Sequence, residues 1–361
     1  MRLGIVGCGA IAESAHLPAV LSSPSVELTA LSEVSDPRRS YIQRRFGLGP
    51  ICFDDYHEVL PRVDAVVLAL PNALHASVGT EFLSRGIHVL CEKPLATSSR
   101  ECKQMCETAQ AASAVLAVGF VTRFFPSTEL TKQVIESGFL GAVQSFDYEF
   151  GTDGGWATLS GYNLSRSTSG GGVLVVSGSH FLDRMFYLFG DLDLVSYADD
   201  NHGGVEANCV ARFEGSLRGH AVQGRITLSK THRLANRLRI IGETGTLEIG
   251  EGQSRSVTYI PTQSGLQHEI SMIETARAKS EPDYFSVQLE DFVRAIQTGT
   301  SPRIDGEQGS KSVAIGERCY ELAAPLEEPW CTATLERLES SVLQAKAAAI
   351  DGSYALGSSR G

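Results

Sequence analysis

The amino-acid sequence predicts an α/β chain in two parts. A doubly wound parallel sheet comes first, and an α+β domain on an open, mainly antiparallel sheet follows. Three observations carry that prediction. Short apolar runs recur between residues 1 and 119, each bounded by turn residues and separated by stretches of helical length. The first run leads into a glycine-rich turn, Gly4-Ile-Val-Gly7-Cys-Gly9-Ala-Ile-Ala12. From about 192 to 272 the chain reads instead as closely spaced strands. Strands apolar on both faces belong to a parallel sheet covered by helices, whereas a run of adjacent strands favours antiparallel pairing.

Taken in order, Arg2 to Val6 is the first strand and Val26 to Leu31 the second. Ala65 to Leu70, Ile87 to Cys91 and Val115 to Gly119 follow, with helices expected at about 37–46, 73–85 and 98–113. A helix over about 126–137 ends at Gly138, and Val143 to Phe150 alternates as a strand. Residues 151–172 are rich in Gly, Ser and Thr, the composition of a covering loop. A helix is expected over about 177–189, and Gly242-Glu-Thr-Gly245 is a hairpin turn between LRII and TLEI. Helices return at about 283–298 and 307–324, and the terminal GSYALGSSRG has the composition of a flexible tail. The expected division is therefore 1–122, 123–330, and a C-terminal helical extension and tail over 331–361.

The bulk numbers narrow the function. A chain of 361 residues can enclose two cores, and 42% hydrophobic with 20% charged residues is globular composition. A formal charge of −11 repels phosphate backbones and anionic lipid, so neither nucleic acid nor a membrane surface is an expected partner. One helix N-terminus can still hold a diphosphate within an acidic protein. The N-terminal apolar run is broken by glycines and contains Glu13 and His16, which suits neither a signal peptide nor a span. Eight cysteines without metal-type spacing read as reduced thiols of a cytoplasmic protein, and no metal is expected.

Gly7, Gly9 and Ala12 fit the G-x-G-x-x-G/A pattern, with Ala10 and Ile11 opening the helix between them. Gly7 permits the tight turn, Gly9 lets the backbone approach a diphosphate, and Ala12 keeps helix and sheet close. Glu33 ends the next strand, where its carboxylate can accept from ribose hydroxyls. That favours NAD, because a carboxylate repels a 2′-phosphate, while Arg38 just beyond keeps NADP open. Two further segments fall at the carboxyl ends of parallel strands, where ligands of open α/β sheets bind. These are Leu70-Pro71-Asn72 with His75, and Glu92-Lys93-Pro94. Arg123 follows the last strand and is a further candidate contact.

On the segments GIVGCGAIA, LPNALHA, HVLCEKPLA, VGFVTRFFP and SGGGVLVVSGSHFLD, the chain resembles one family of NAD(P)-dependent oxidoreductases from residue 1 to about 330. It is the glucose–fructose oxidoreductase / inositol dehydrogenase / rhizopine-catabolism (Gfo/Idh/MocA) family. The resemblance implies hydride transfer between nicotinamide and a secondary alcohol or ketone of a sugar, cyclitol or related polyol. It implies that Lys93 lies by nicotinamide and substrate and that His180 is the acid/base. The family's aspartate four residues before that histidine is Val176 here, so one carboxylate is missing. Asp183, three residues after His180, reads as structural. Trp156, Tyr162, Asn163, Val176, Ser177 and also Asp183 remain candidate substrate contacts. The resemblance also implies a homodimer or homotetramer paired through the second-domain sheet. Two other readings stay open: a glycosidase or lyase that reduces and reoxidises a retained NAD, and a redox-silent NAD-binding regulator. Retention of both Lys93 and His180 weighs against the second.

Overall fold

Leu3, Ile5 and Val6 are enclosed on both faces, so the first strand must be central. In the computed structural model, which describes residues 1–153, 161–201, 203–251, 255–263, 265–272, 283–328 and 330, it is. Strands β1 (Arg2–Val6), β2 (Glu27–Ser32), β3 (Cys52–Phe53), β4 (Ala65–Leu68), β5 (His88–Cys91) and β6 (Leu116–Val118) form one parallel sheet. Their order is β3-β2-β1-β4-β5-β6. The two-residue β3 pairs Leu31 with Cys52 at the edge and is too short to leave a periodic signature in the sequence. β4 ends two residues earlier than expected, because its register with β1 stops at Val6↔Leu68. Ala69 then turns beneath Gly7.

Helix α1 (Leu17–Ser22) is entered through a π-helical turn over Ala12–His16. Helices α2 (Asp36–Phe46), α3 (His75–Ser84) and α4 (Ser99–Ala111) complete the wrapping. Ser35 caps α2 and Ser98 caps α4, each accepting a main-chain N–H.

The second sheet has nine strands: β7 (Val143–Gly151), β8 (Asp193–Asp199), β9 (Asn208–Leu217), β10 (His220–Ser229), β11 (Arg237–Gly242), β12 (Gly245–Gly250), β13 (Ser256–Pro261), β14 (His268–Ser271) and β15 (Ala323–Pro325). The order is β14-β13-β12-β11-β7-β10-β9-β8-β15. Only β7 with β10 and β8 with β15 pair parallel; the rest is antiparallel as expected. The hairpin turn lies where the sequence puts it, with Ile241 opposite Thr246.

Helices α5 (Pro126–Glu136), α6 (Arg166–Ser169), α7 (Val173–Val176) and α8 (Gly178–Phe189) cover one face of this sheet and its rim. The single helix expected over 177–189 is preceded by α7 and separated from it at Ser177. Gly178 explains the close seat of α8, since a Cβ there would meet Leu228 Cδ1 at 2.6 Å.

Helices α9 (Tyr284–Thr298) and α10 (Gly306–Glu321) return to the first sheet. Leu289, Phe292 and Val293 of α9 share a core with Leu3, Ile5 and Leu17. Gly309 lets α10 lie on Val118 of β6. The 283–322 stretch thus ties the two sheets together. No helix among the described residues is long and apolar enough to cross a membrane. Trp156 and the 331–361 extension lie outside the described residues.

Candidate active site

The glycine turn has the geometry a diphosphate cradle needs. Gly7 sits at φ +91°, and a Cβ on it would meet the Ala69 carbonyl oxygen at 2.4 Å. A Cβ on Gly9 would meet nothing within 4 Å. The chain therefore excludes a side chain at Gly7 for its own packing and leaves the space over Gly9 open. Ala12 is wholly buried behind the turn, and Ala10 and Ile11 begin the helix. Glu33 Oε2 accepts from Cys8 N at 3.0 Å and Oε1 from Ser35 N at 2.9 Å, which fixes the carboxylate beside the cradle. Arg38 lies across the same loop. Its Nε donates to Cys8 O at 2.6 Å, and an Nη donates to Glu13 Oε2 at 2.6 Å.

The two strand-end segments are tied to each other. His75 is fully buried, with Nδ1 2.8 Å from Pro94 O and Nε2 2.9 Å from Leu70 O. It thereby holds the Leu70-Pro71 turn against the Lys93-Pro94 step, whose peptide bond is cis. Asn72, also buried, donates from Nδ2 to Ser169 O at 2.8 Å and joins the first sheet to α6.

Glu92 is buried and Lys93 beside it is half-buried. Glu92 Oε1 lies 2.7 Å from His16 Nε2, both side chains being buried. Burial alone would raise the Glu92 carboxyl, but the His16 contact and the Lys93 ammonium outweigh it and hold it low. His16 was not among the sequence-derived candidates. It stands 76 positions from Glu92, and the π-helical turn that aims it has no sequence signature.

Lys93 Nζ donates to the Val176 carbonyl at 2.7 Å. The residue that lacks the expected carboxylate therefore still engages the lysine, through its main chain. Burial lowers the Lys93 pKa, Glu92 opposes that, and Lys230 adds to it.

His180 lies in the first turn of α8, where the Lys93 charge reaches it, with its ring edge-on to Phe120 at 5.8 Å between centroids. Burial, then the charges of Lys93 and Arg184, hold its pKa well below 6.5. Nδ1 is enclosed without a hydrogen-bond partner among the described residues, so Nε2 is the ring nitrogen left to exchange a proton. Ser177 is half-buried at the α7–α8 junction and accepts from His180 N at 3.2 Å. Tyr162 is close enough to feel the Glu92 charge, and its neighbour Asn163 is buried.

Arg123 and Asp183 belong together. Arg123 donates to both Asp183 oxygens, at 2.8 and 2.6 Å, and to Gln308 Oε1 at 2.7 Å. With every guanidinium nitrogen so engaged and the pair buried, Arg123 ties α8 to α10. Asp183 is its counter-ion.

Another group missing from the sequence reading is Glu206. It accepts from the main-chain N–H of Gly172 at 2.9 Å and of Leu174 at 3.0 Å, and from Tyr320 OH at 2.9 Å. It thus seats the first turn of α7. No His/Cys/Asp/Glu group that could hold a metal is found among the described residues.

The comparisons with known proteins agree with this geometry. Residues 1–120 match the oxidoreductase family's NAD-binding Rossmann fold, and residues 132–326 match its C-terminal alpha/beta domain. D-xylose 1-dehydrogenase (NADP(+)) 2 of Haloferax volcanii is 28% identical over 335 residues, covering 90% of this chain and 97% of that protein. Myo-inositol 2-dehydrogenase of Thermotoga maritima is 24% identical over 348 residues, covering 91% and 97%. A levoglucosan dehydrogenase solved with NADH and L-sorbose shares the fold, with a TM-score of 0.78 at 20% identity, covering 89% of this chain and 96% of that one. An NAD-binding domain on the glycine turn, joined to the matching C-terminal domain, makes this chain a member of the Gfo/Idh/MocA family of NAD(P)-dependent oxidoreductases, in which the named relatives are dehydrogenases of sugar and polyol CH–OH groups.

Proposed function

We propose that the protein is an NAD-dependent dehydrogenase of a secondary alcohol on a sugar, cyclitol or related polyol, or the reductase of the matching ketone. The observation that carries this reading is that Lys93, bonded at the α7–α8 junction, stands close enough to His180 for its charge to act on the ring. Lys93 is anchored by the Val176 carbonyl, and His180 is kept neutral by its surroundings.

The open space over Gly9, with the fixed Glu33 carboxylate beside it, fits a dinucleotide. When bound, the nicotinamide supplies the two-electron chemistry by accepting or giving a hydride. The chain's own residues manage the proton and the oxygen. A neutral His180 takes the hydroxyl proton at Nε2 during oxidation and returns it during reduction. Lys93 Nζ polarises the same oxygen as it gains carbonyl character and stabilises it as an alkoxide in reverse. Glu92 and His16 hold the lysine segment in place from behind.

NAD is favoured over NADP because Glu33 faces the ribose position, and because Arg38 already spends an Nη on Glu13 rather than leaving it for a 2′-phosphate. The missing acid at Val176 suits a substrate whose hydroxyl pattern differs from that served by the family's aspartate. It also keeps alive a redox-neutral reading, in which NAD is reduced and reoxidised in each turnover. The protein is expected to act in the cytoplasm as a homodimer or homotetramer paired through the nine-stranded sheet.

Lys93→Ala should abolish turnover, by about a hundredfold or more, and leave NAD affinity within about twofold. Turnover surviving in that variant would remove Lys93 from the reaction.

A further inference from the structure

Strand β10 alternates, and its even-numbered side chains Val222, Ile226 and Leu228 point into the core under α8. Leu228 ends against Gly178, at the start of that helix. The pairing of β10 with β9 runs one residue past the strand, because Lys230 N donates to Ala207 O at 2.8 Å. Lys230 therefore keeps the even-numbered, helix-facing side, and stands about 6.6 Å beyond Leu228 along the strand direction. That point is the sheet rim, next to the α7–α8 junction where Lys93 bonds Val176.

Lys230 is half-buried, and its ammonium forms no hydrogen bond or ion pair among the described residues. The two carboxylates whose charge acts on these lysines, Glu206 on Lys230 and Glu92 on Lys93, direct their hydrogen bonds elsewhere. Glu206 is held by Gly172, Leu174 and Tyr320, and Glu92 by His16 and the Lys93 N–H. The position where the family carries an aspartate is apolar Val176. The rim thus holds two ammonium groups, Lys93 and Lys230, and they are close enough for Lys230 to lower the Lys93 pKa. Glu92 and Glu206 reach Lys93 and Lys230 through their charge, but among the described residues neither carboxylate forms an ion pair with either ammonium, and a partly desolvated cation without a direct partner is costly. The surrounding protein carries a net charge of −11, so this rim is a local exception to its field.

We propose that the polyol substrate carries an acidic oxyanion, a carboxylate or a phosphate, and that Lys230 binds it while Lys93 and His180 act on the hydroxyl carbon. This deepens the dehydrogenase reading and rests on it for the position of the reacting centre. It also gives the missing aspartate a physical reason, because a carboxylate at 176 would repel such a substrate.

The test is calorimetric titration of the NADH-loaded full chain with D-gluconate, D-glucose 6-phosphate and sorbitol. At least one anionic polyol should bind about tenfold or more tightly than sorbitol, a difference worth about 1.4 kcal/mol. Which of the two does so identifies the oxyanion. Lys230→Gln should erase the preference and Lys230→Arg should keep it. Lys103→Gln, a change to an exposed lysine on α4, controls for net charge and should leave the preference unchanged. Equal binding of all three ligands, no saturable binding of either anion, or a preference that survives in Lys230→Gln would overturn the proposal. Turnover of neutral polyols, read separately at 340 nm, tells failure of the Lys230 assignment from failure of the dehydrogenase reading.

Discussion

At the residue scale, the two glycines of the first turn should respond oppositely to a side chain. Gly7→Ala places a methyl against the Ala69 carbonyl in a backbone region that L-residues avoid, and should cost about 1–3 kcal/mol of stability. Gly9→Val should leave melting nearly unchanged while weakening NAD binding by about tenfold or more, because its side chain enters the space left for the diphosphate. Melting curves with and without NAD read both effects. If Gly9→Val bound NAD normally, the cradle would lie elsewhere. The depressed His180 pKa fixes a pH signature. Since the neutral ring takes the proton, the acid limb of kcat should fall below pH 6.5, the ordinary histidine value. The sign for stability is the same: the favourable contribution is fully present above the unfolded-state pKa and is lost as pH falls through the folded value. An acid limb at or above 6.5 would contradict this environment. Gly7, Gly9, Glu33, Lys93 and His180 could be named as candidates from the sequence because each stands in a local pattern of fixed spacing. His16 and Glu206 were not, because their partners lie across the fold, and Lys230 was not, because only the pairing of β10 with β9 carries it to the sheet rim.

At the element scale, the α7–α8 pair is the most informative piece. The sequence carries the helix over 177–189 but not the short turn before it, because α7 exists by virtue of a distant cap. Removing that cap in Glu206→Ala leaves two main-chain N–H groups without their acceptor, and should cost roughly 2–4 kcal/mol. Turnover should fall with it, since the Val176 carbonyl that anchors Lys93 ends this helix. Asp183→Ala strands the Arg123 guanidinium in the interior and should cost about 3–5 kcal/mol. Denaturant titration measures both, and a loss below about 1 kcal/mol for Asp183→Ala would mean that the pair is not closed in solution. The helices over 36–46, 99–111, 126–136 and 284–298 matched expectation within a residue or two, and for 36–46 and 284–298 a side-chain cap and a following glycine mark both ends. The strands β3 and β15 were not legible. At two and three residues they exist only through pairing with β2 and β8.

At the scale of the whole molecule, two sheets share helices rather than merely adjoin. α9 completes the core behind β1, and α10 bridges β6 and α8, so the reacting groups from both sheets are held in one frame. Sequence reading divided the chain near 122 and gave no hint of this return, because burial against a distant sheet looks like any other amphipathic pattern. The proposed self-association predicts a mass that is a multiple of 38.7 kDa by light scattering at micromolar concentration; a stable monomer would contradict it. The central claim, hydride transfer at the Lys93–His180 rim, is tested most directly by absorbance at 340 nm under anaerobic conditions. Purified protein would be mixed with NAD or NADP and a panel of sugars, cyclitols and sugar acids. On that claim the signal should grow with NAD, be lost in Lys93→Ala, and be among the strongest with a sugar acid. A flat trace across the panel, with calorimetry showing that the cofactor binds, would contradict it.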